Sequence, residues 1–206
     1  MPSRPSLLLR CVLPPCLLVV AGATFAADLT VVVTGADGRP LRDAVVMATP
    51  ARGALPVKPM PMVAVSQAGR AFDPAVTVIT AGTAVSFPNN DTVRHHVYSF
   101  SPAKTFEIKL YAGVPHAPVV FDKPGVAVLG CNIHDQMVAW IVVTDTPLHA
   151  RTDANGRARL AGLAAGAYGL RTWHSALPVD RPAPVLRTTL GAADAELPVR
   201  LAVTAP

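Results

Sequence analysis

The sequence predicts an all-β protein made of small sandwiches, and three observations carry that prediction. After residue 27 the apolar residues come in short, β-branched runs broken by Gly, Pro, Asn and Asp; no long stretch repeats them at helical spacing; and turn signals recur throughout. The chain has 206 residues, 51% hydrophobic and 15% charged, which is the composition of a packed globular chain and not of a disordered one.

Residues 1 to 26 read as a secretory leader. Arg4 and Arg10 form a positive start, an uncharged stretch runs from Cys11 through Ala27, and Thr24-Phe25-Ala26 offers a small-residue cleavage site, with cleavage expected after Ala26. An anchor is the rival reading, but the stretch is interrupted by Pro14-Pro15 and is shorter than the roughly 20 apolar residues a spanning helix needs, so no stable membrane insertion is expected. Export places the mature chain in the periplasm and removes Cys11 and Cys16, which leaves Cys131 alone and an intramolecular disulfide impossible. A lone exported thiol is open to oxidation unless it is buried or ligated. The formal charge of +5 falls to +3 without Arg4 and Arg10, and no basic run exists, which argues against nucleic acid as a partner.

In the mature chain, Leu29 to Val33 and Ala44 to Met47 are predicted strands around Ala36-Asp37-Gly38-Arg39, where Asp-Gly supplies the positive φ of a tight turn; residues 27 to 50 are expected to form a hairpin. Residues 51 to 61, with Pro56, Pro59 and Pro61, have a linker composition. Residues 62 to 144 are predicted to hold eight short strands: Met62 to Ser66, Ala75 to Thr80, Ala84 to Phe87, Val97 to Phe100, Thr105 to Leu110, Val119 to Phe121, Val126 to Cys131 and Ala139 to Val143. That spacing suggests one sandwich of about 80 to 100 residues. Residues 145 to 206 open with Thr152-Asp153-Ala154-Asn155-Gly156-Arg157, which echoes the first turn as a second hairpin signal. They continue as strands over Arg159 to Leu163 and Ala167 to Trp173, loosen through Pro178, Pro182 and Pro184, and end in a run from Leu197 to Val203.

This tail resembles the regulatory-type β-sandwich modules found beside carboxypeptidases, through Asp153-Ala154-Asn155-Gly156, Leu163 and Gly166-Ala167-Tyr168, while Val31 to Val46 matches the first half of the same signature. The resemblance implies one module split into residues 27 to 50 and 145 to 206, with the middle domain inserted between them.

The chemistry sits in Cys131-Asn132-Ile133-His134-Asp135-Gln136-Met137, a C-x2-H-x2-M array between two predicted strands. A thiolate, an imidazole and a thioether within seven residues can face one ion, and soft sulfur with imidazole suits copper in both Cu(I) and Cu(II). Zinc would want a harder donor than Met137. A cysteine nucleophile with His134 as base lacks a third, orienting group. A Cys with two His and a long axial Met is the electron-transfer geometry of copper, so a second histidine is required, and His95 and His96 stand at the entrance to a predicted strand.

The middle of the chain resembles the cupredoxins, the family of plastocyanin, amicyanin and pseudoazurin, and its short ligand loop is most like that of amicyanin. Family members carry an Asn six residues before the first His ligand and an apolar residue two after it, as do Asn89, His95 and Val97 here. The resemblance implies a cupredoxin-like Greek-key β-sandwich over residues 62 to 144 and copper ligands His95, Cys131, His134 and Met137. It places Asn89 just outside the ligands, where it can hydrogen-bond the loop backbone, and makes His134 the electron port. Strand neighbours face opposite ways, so His95 and His96 cannot both be ligands; the alignment with the family, which also sets Asn89 in register, implies His95, and His96 is a spare imidazole near the metal or a polar group replacing the family's usual Asn. The strand Val126 to Gly130 lacks the aromatic residues usual there.

With leader, middle domain and tail together, the chain is similar to bacterial periplasmic chains of the methylamine utilisation type. Four protein ligands leave no position for a substrate, so an electron carrier and not an enzyme is expected, with transient redox proteins as partners and the chain a monomer. The alternative is a periplasmic copper-binding or copper-delivery protein using the same ligands without turnover. Residues 62 to 144 hold five basic and five acidic side chains, so docking should depend weakly on salt.

Overall fold

A computed structural model describes residues 26–178 and 183–204. Apart from Ala26, the leader expected over residues 1 to 26 lies outside the described residues. No helix among the described residues is long and apolar enough to cross a membrane. The described residues are all-β, with strands β1 (Ala26–Thr34), β2 (Val45–Pro50), β3 (Val63–Ala64), β4 (Ser66–Ala68), β5 (Ala71–Asp73), β6 (Val76–Thr80), β7 (Thr83–Ser86), β8 (His95–Ser101) and β9 (Lys104–Tyr111). The second half adds β10 (Val119–Phe121), β11 (Gly125–Gly130), β12 (Val138–Thr144), β13 (His149–Arg151), β14 (Arg157–Ala164), β15 (Gly166–Trp173), β16 (Val185–Leu190) and β17 (Ala195–Arg200).

Strands β3 to β12 build one β-sandwich from a three-stranded sheet, β10-β7-β3, and a five-stranded sheet, β6-β12-β11-β8-β9. Period-two alternation explains what fills it. Ala127, Leu129 and then Cys131 point inward from β11 and its end, and Ala139, Ile141 and Val143 point inward from β12; they meet Phe87, Val97 and Phe121 in one core cluster that also contains Met137. Two details differ from expectation. The predicted run Met62 to Ser66 divides into β3 and the start of β4, which pairs with the unpredicted β5 as a separate hairpin. Strand β8 starts two residues earlier than predicted, so it includes both His95 and His96.

Sheets β14-β1-β17 and β13-β2-β15-β16 enclose a second, largely aliphatic core of Leu29, Val31, Val33, Leu41, Val46, Leu160, Leu163 and Leu170 with their neighbours. The expected hairpin over residues 27 to 50 is corrected here: β1 pairs with β14 and β17, and β2 pairs with β13 and β15, so the two strands lie in different sheets. The Asp-Gly turn does form, with Gly38 at φ 80° and the Gly38 amide donating to the Gly35 carbonyl over 3.0 Å. Beyond it Leu41 is fully buried, and its amide donates to the Val33 carbonyl over 3.0 Å, so the chain crosses the core to the opposite sheet.

The echoing turn at 152–157 likewise carries the chain between sheets, from β13 to β14, and the two crossings are tied together. The Val33 amide donates to the Gly156 carbonyl over 2.7 Å. Thr152 Oγ1 accepts from the Ala44 amide over 2.8 Å and donates to the Leu41 carbonyl over 2.6 Å. A Cβ at Gly156, which has φ 71°, would sit 2.4 Å from the Val33 carbonyl oxygen, so only glycine fits. The tail contains β16, which was not predicted, and its last strand lies over 195–200 where 197–203 was expected.

The two cores are joined by a third cluster. Val45, Met47 and Trp173 from the β2 and β15 face pack on Val76 and Val142, with Val78, Val126 and Trp140 alongside, so the outer face of the β6-β12-β11 sheet is covered by the second unit.

Candidate metal centre

Three side chains from two parts of the sequence converge at one end of the first sandwich. His95 opens β8; Cys131 continues the inward alternation of β11; His134 stands on the seven-residue loop leading to β12. One donor atom from each lies within 4.8 Å of the others. The imidazoles of His95 and His134 meet edge to face, with centroids 5.1 Å apart. His95 is fully buried, Cys131 is a buried free thiol and His134 is half-buried. The loop is tight: the Met137 amide donates to the His134 carbonyl over 3.0 Å, and the Met137 side chain is buried in the same core cluster as Cys131. Among the described residues no other trio of His, Cys, Asp or Glu side chains converges in this way.

The protonation of His95 is set by a neighbour the sequence reading missed. Asp91 Oδ2 lies 2.6 Å from His95 Nε2, while Nδ1 is buried with no partner. The Asp91 carboxyl is held below the usual carboxylate range by the Arg70 amide first and then by the His95 hydrogen bond, so it is an anion that only accepts. Nε2 therefore carries the proton and Nδ1 presents a lone pair. The Nδ1 atom of His134 is also buried and partnerless. An unsatisfied buried donor or acceptor costs about 1–3 kcal/mol, so two of them beside a buried thiol call for a ligand. Two imidazole nitrogens and a thiolate, with a thioether close by in sequence, form a donor set that fits copper.

The other expected residues fall as follows. Asn89 is buried; its Nδ2 donates to the Val93 and Tyr111 carbonyls at 2.9 and 2.8 Å, and its Oδ1 accepts from the Asp91 amide at 3.0 Å. These bonds fix the loop that precedes His95 and the end of β9, in place of the bond to the ligand-loop backbone that was expected. His96 points to the other face of the sheet, where Nε2 is 3.0 Å from Glu107 Oε1 without the alignment of a hydrogen bond, and its ring lies against Tyr98.

On the outer face of the sheet, an aromatic side chain of β8 covers the end of β11. Tyr98 lies opposite Gly130, and a Cβ there would sit 2.7 Å from the Tyr98 ring. On the inner side, Gln67 Nε2 donates to the Tyr111 hydroxyl, which donates to the Phe87 carbonyl over 2.6 Å. Burial above all, and the nearby Cys131 charge after it, push the Tyr111 phenol up to about 12 despite the Gln67 bond, so it remains a donor. Asp91 was discoverable from its place four residues before His95 on a short loop; Gln67 and Tyr111 carry no sequence signal.

An all-β sandwich with a buried His-Cys-His cluster on a strand entrance and a short loop is thus the class that fold and site define. No family model and no curated protein matches the chain. Among solved structures it is similar to a Cu-containing nitrite reductase (NirK) from Thermus scotoductus SA-01, at 30% identity over 47% of this chain, with a TM-score of 0.38; the match spans 25% of that enzyme's length. It is similar to a pseudoazurin from Methylobacterium extorquens AM1, at 30% identity over 41% of this chain and 76% of that one, with a TM-score of 0.34. It is also similar to a purple cupredoxin from Nitrosopumilus maritimus, at 21% identity over 41% of this chain and all of that one, with a TM-score of 0.35.

Proposed function

We propose that the protein is an exported type 1 copper protein that carries single electrons between periplasmic redox partners. The observation that carries this reading is the pair of buried, partnerless Nδ1 atoms beside the Cys131 thiol. In this reading His95, Cys131 and His134 are the principal ligands and Met137 the weak axial one. Bound there, copper would supply a reversible one-electron couple.

The chain's own residues do the rest. Asp91 holds the proton of His95 on Nε2, the core beneath Cys131 and Met137 excludes water, and the short loop fixes His134 near the surface. Exposed Ile133 on that loop and Val138 just after it suit a brief apolar contact with a partner at His134. Residues 62 to 144 form the copper domain in this reading, and residues 27 to 50 with 145 to 206 form a split regulatory-like module that serves as its platform. Export rests on the leader read from the sequence.

Titration of the purified mature chain with Cu(II) tests the proposal. An intense visible thiolate-to-copper band, reversible on reduction and absent in Cys131→Ser, is the expected result. A colourless complex that takes only Cu(I) would sink electron transfer and favour copper delivery.

A further inference from the structure

The turn of the β4–β5 hairpin carries two successive residues in the left-handed region, Gly69 at φ 58° and Arg70 at φ 59°. A two-residue hairpin turn requires positive φ at both of its central residues, and Ala68 pairs with Ala71 across this one. A carboxylate caps it. The Gly69 amide donates to Asp91 Oδ1 over 2.7 Å and the Arg70 amide donates to Asp91 Oδ2 over 2.9 Å. Consecutive amides turned to one side make a concavity for an anion. Asp91 is further tied through its own amide to Asn89. Both carboxylate oxygens are thus engaged, and Oδ2 has one remaining direction, toward His95 Nε2 at 2.6 Å.

We propose that the β4–β5 turn, acting through Asp91, is the positioning device that fixes the tautomer of His95 and strengthens its Nδ1 as a donor. With Asp91 clamped at both oxygens, the ring cannot turn over without abandoning a charge-assisted hydrogen bond in a buried setting. The negative charge against Nε2–H pushes electron density toward Nδ1, and a stronger donor at Nδ1 favours the higher oxidation state of a bound metal. The redox part of this inference rests on the copper reading above; the tautomer part does not. Asp91 and Arg70 are positioning residues, since neither faces the cluster's interior.

Two measurements on the mature chain separate these parts. In the metal-free protein, long-range 15N–1H spectra should show His95 as the Nε2–H tautomer with a slowly exchanging proton, and Asp91→Ala should convert it to a rapidly exchanging mixture while thermal melting shows the variant still folded. In the copper-loaded protein, Asp91→Asn, which retains an acceptor but removes the charge, should raise the reduction potential. Asp28→Asn, removing an equally charged carboxylate from the other sandwich, should leave both readouts where they are. An Nδ1–H tautomer in the parent protein overturns the proposal, as does an unchanged potential in Asp91→Asn or an equal shift in Asp28→Asn. If the parent chain takes up no copper, the functional reading fails, while the spectra still decide the role of the turn.

Discussion

The two sandwiches of this molecule use the same materials and differ in what they leave unsatisfied. In the unit built on β1, β2 and β13 to β17, the core is aliphatic and its buried polar groups are paired: Thr152 bonds both crossings, and the Tyr168 hydroxyl donates to the Ala164 carbonyl. Among the described residues its one partnerless buried side-chain atom is Trp173 Nε1, at the junction with the other unit. In the unit built on β3 to β12, the partnerless atoms are Gln67 Oε1, Thr77 Oγ1, and ring nitrogens of His95, His96 and His134. A β-sandwich does not need such atoms, as the first unit demonstrates. In the second, the partnerless nitrogens of His95 and His134 lie beside Cys131, a stability cost that a ligand would offset, whereas those of His96 face the other side of the sheet.

The junction is the place to break this comparison most severely. Trp173 is buried against Val76 and Val142, so Trp173→Ala should cost about 3–5 kcal/mol and divide a single calorimetric transition into two. One transition at an unchanged temperature would mean that the units do not support each other there. Next in size, Gly156→Ala drives a Cβ into the Val33 carbonyl at a left-handed position and should destabilise the flanking unit by about 2–3 kcal/mol, read as a lower urea midpoint with the visible band of the proposed copper site retained. Its counterpart, Gly130→Ala, meets the Tyr98 ring, the side of a side chain that can shift, and should cost about 1–2 kcal/mol and disturb the copper band; Tyr98→Leu in the same chain should recover part of that loss.

The smallest effect is on pH. Burial lowers the pKa of His149 and His174, both in the flanking unit, below the ordinary 6.5. The unfolded chain then binds protons first, so stability declines as pH drops below about 6.5 and stops declining once the folded histidines have titrated. Asp91 behaves oppositely: its lowered pKa contributes stability that is present above the unfolded value of 3.8 and is lost as pH falls below it. Urea midpoints measured from pH 7.5 to 5 should therefore fall, and His149→Gln should flatten the slope.

How much could be read from the residues depends on range. The alternation in Leu29, Val31 and Val33, or in Ala127, Leu129 and Cys131, is local, and the strands it predicts are present. The ligand loop is local too, since three donors within seven residues have few places to go. Asp37-Gly38 and Asn155-Gly156 fix a reversal of the backbone but not its partner, which is why two hairpin signals became crossings between sheets. Leu41 decided the first of these by entering the core. The three-residue strands β5 and β13 carry too few residues for a pattern, the six residues of β16 are mostly exposed and show no apolar alternation, and β4–β5 becomes visible only once Asp91 is placed over its turn.

The sequence by itself determined the all-β class, the alternation that turns Cys131 inward and the spacing that puts His134 and Met137 on the same loop, because these follow from backbone geometry over a few residues. Only the tertiary structure decided which β8 histidine meets Cys131, that Asp91 holds its far nitrogen, that Tyr98 covers Gly130 and that Trp173 joins the units. Apart from Asp91 and His95, which are four residues apart, those are contacts between residues tens of positions apart, and the free energy that selects them comes from packing and hydrogen bonding across sheets, which no local pattern encodes.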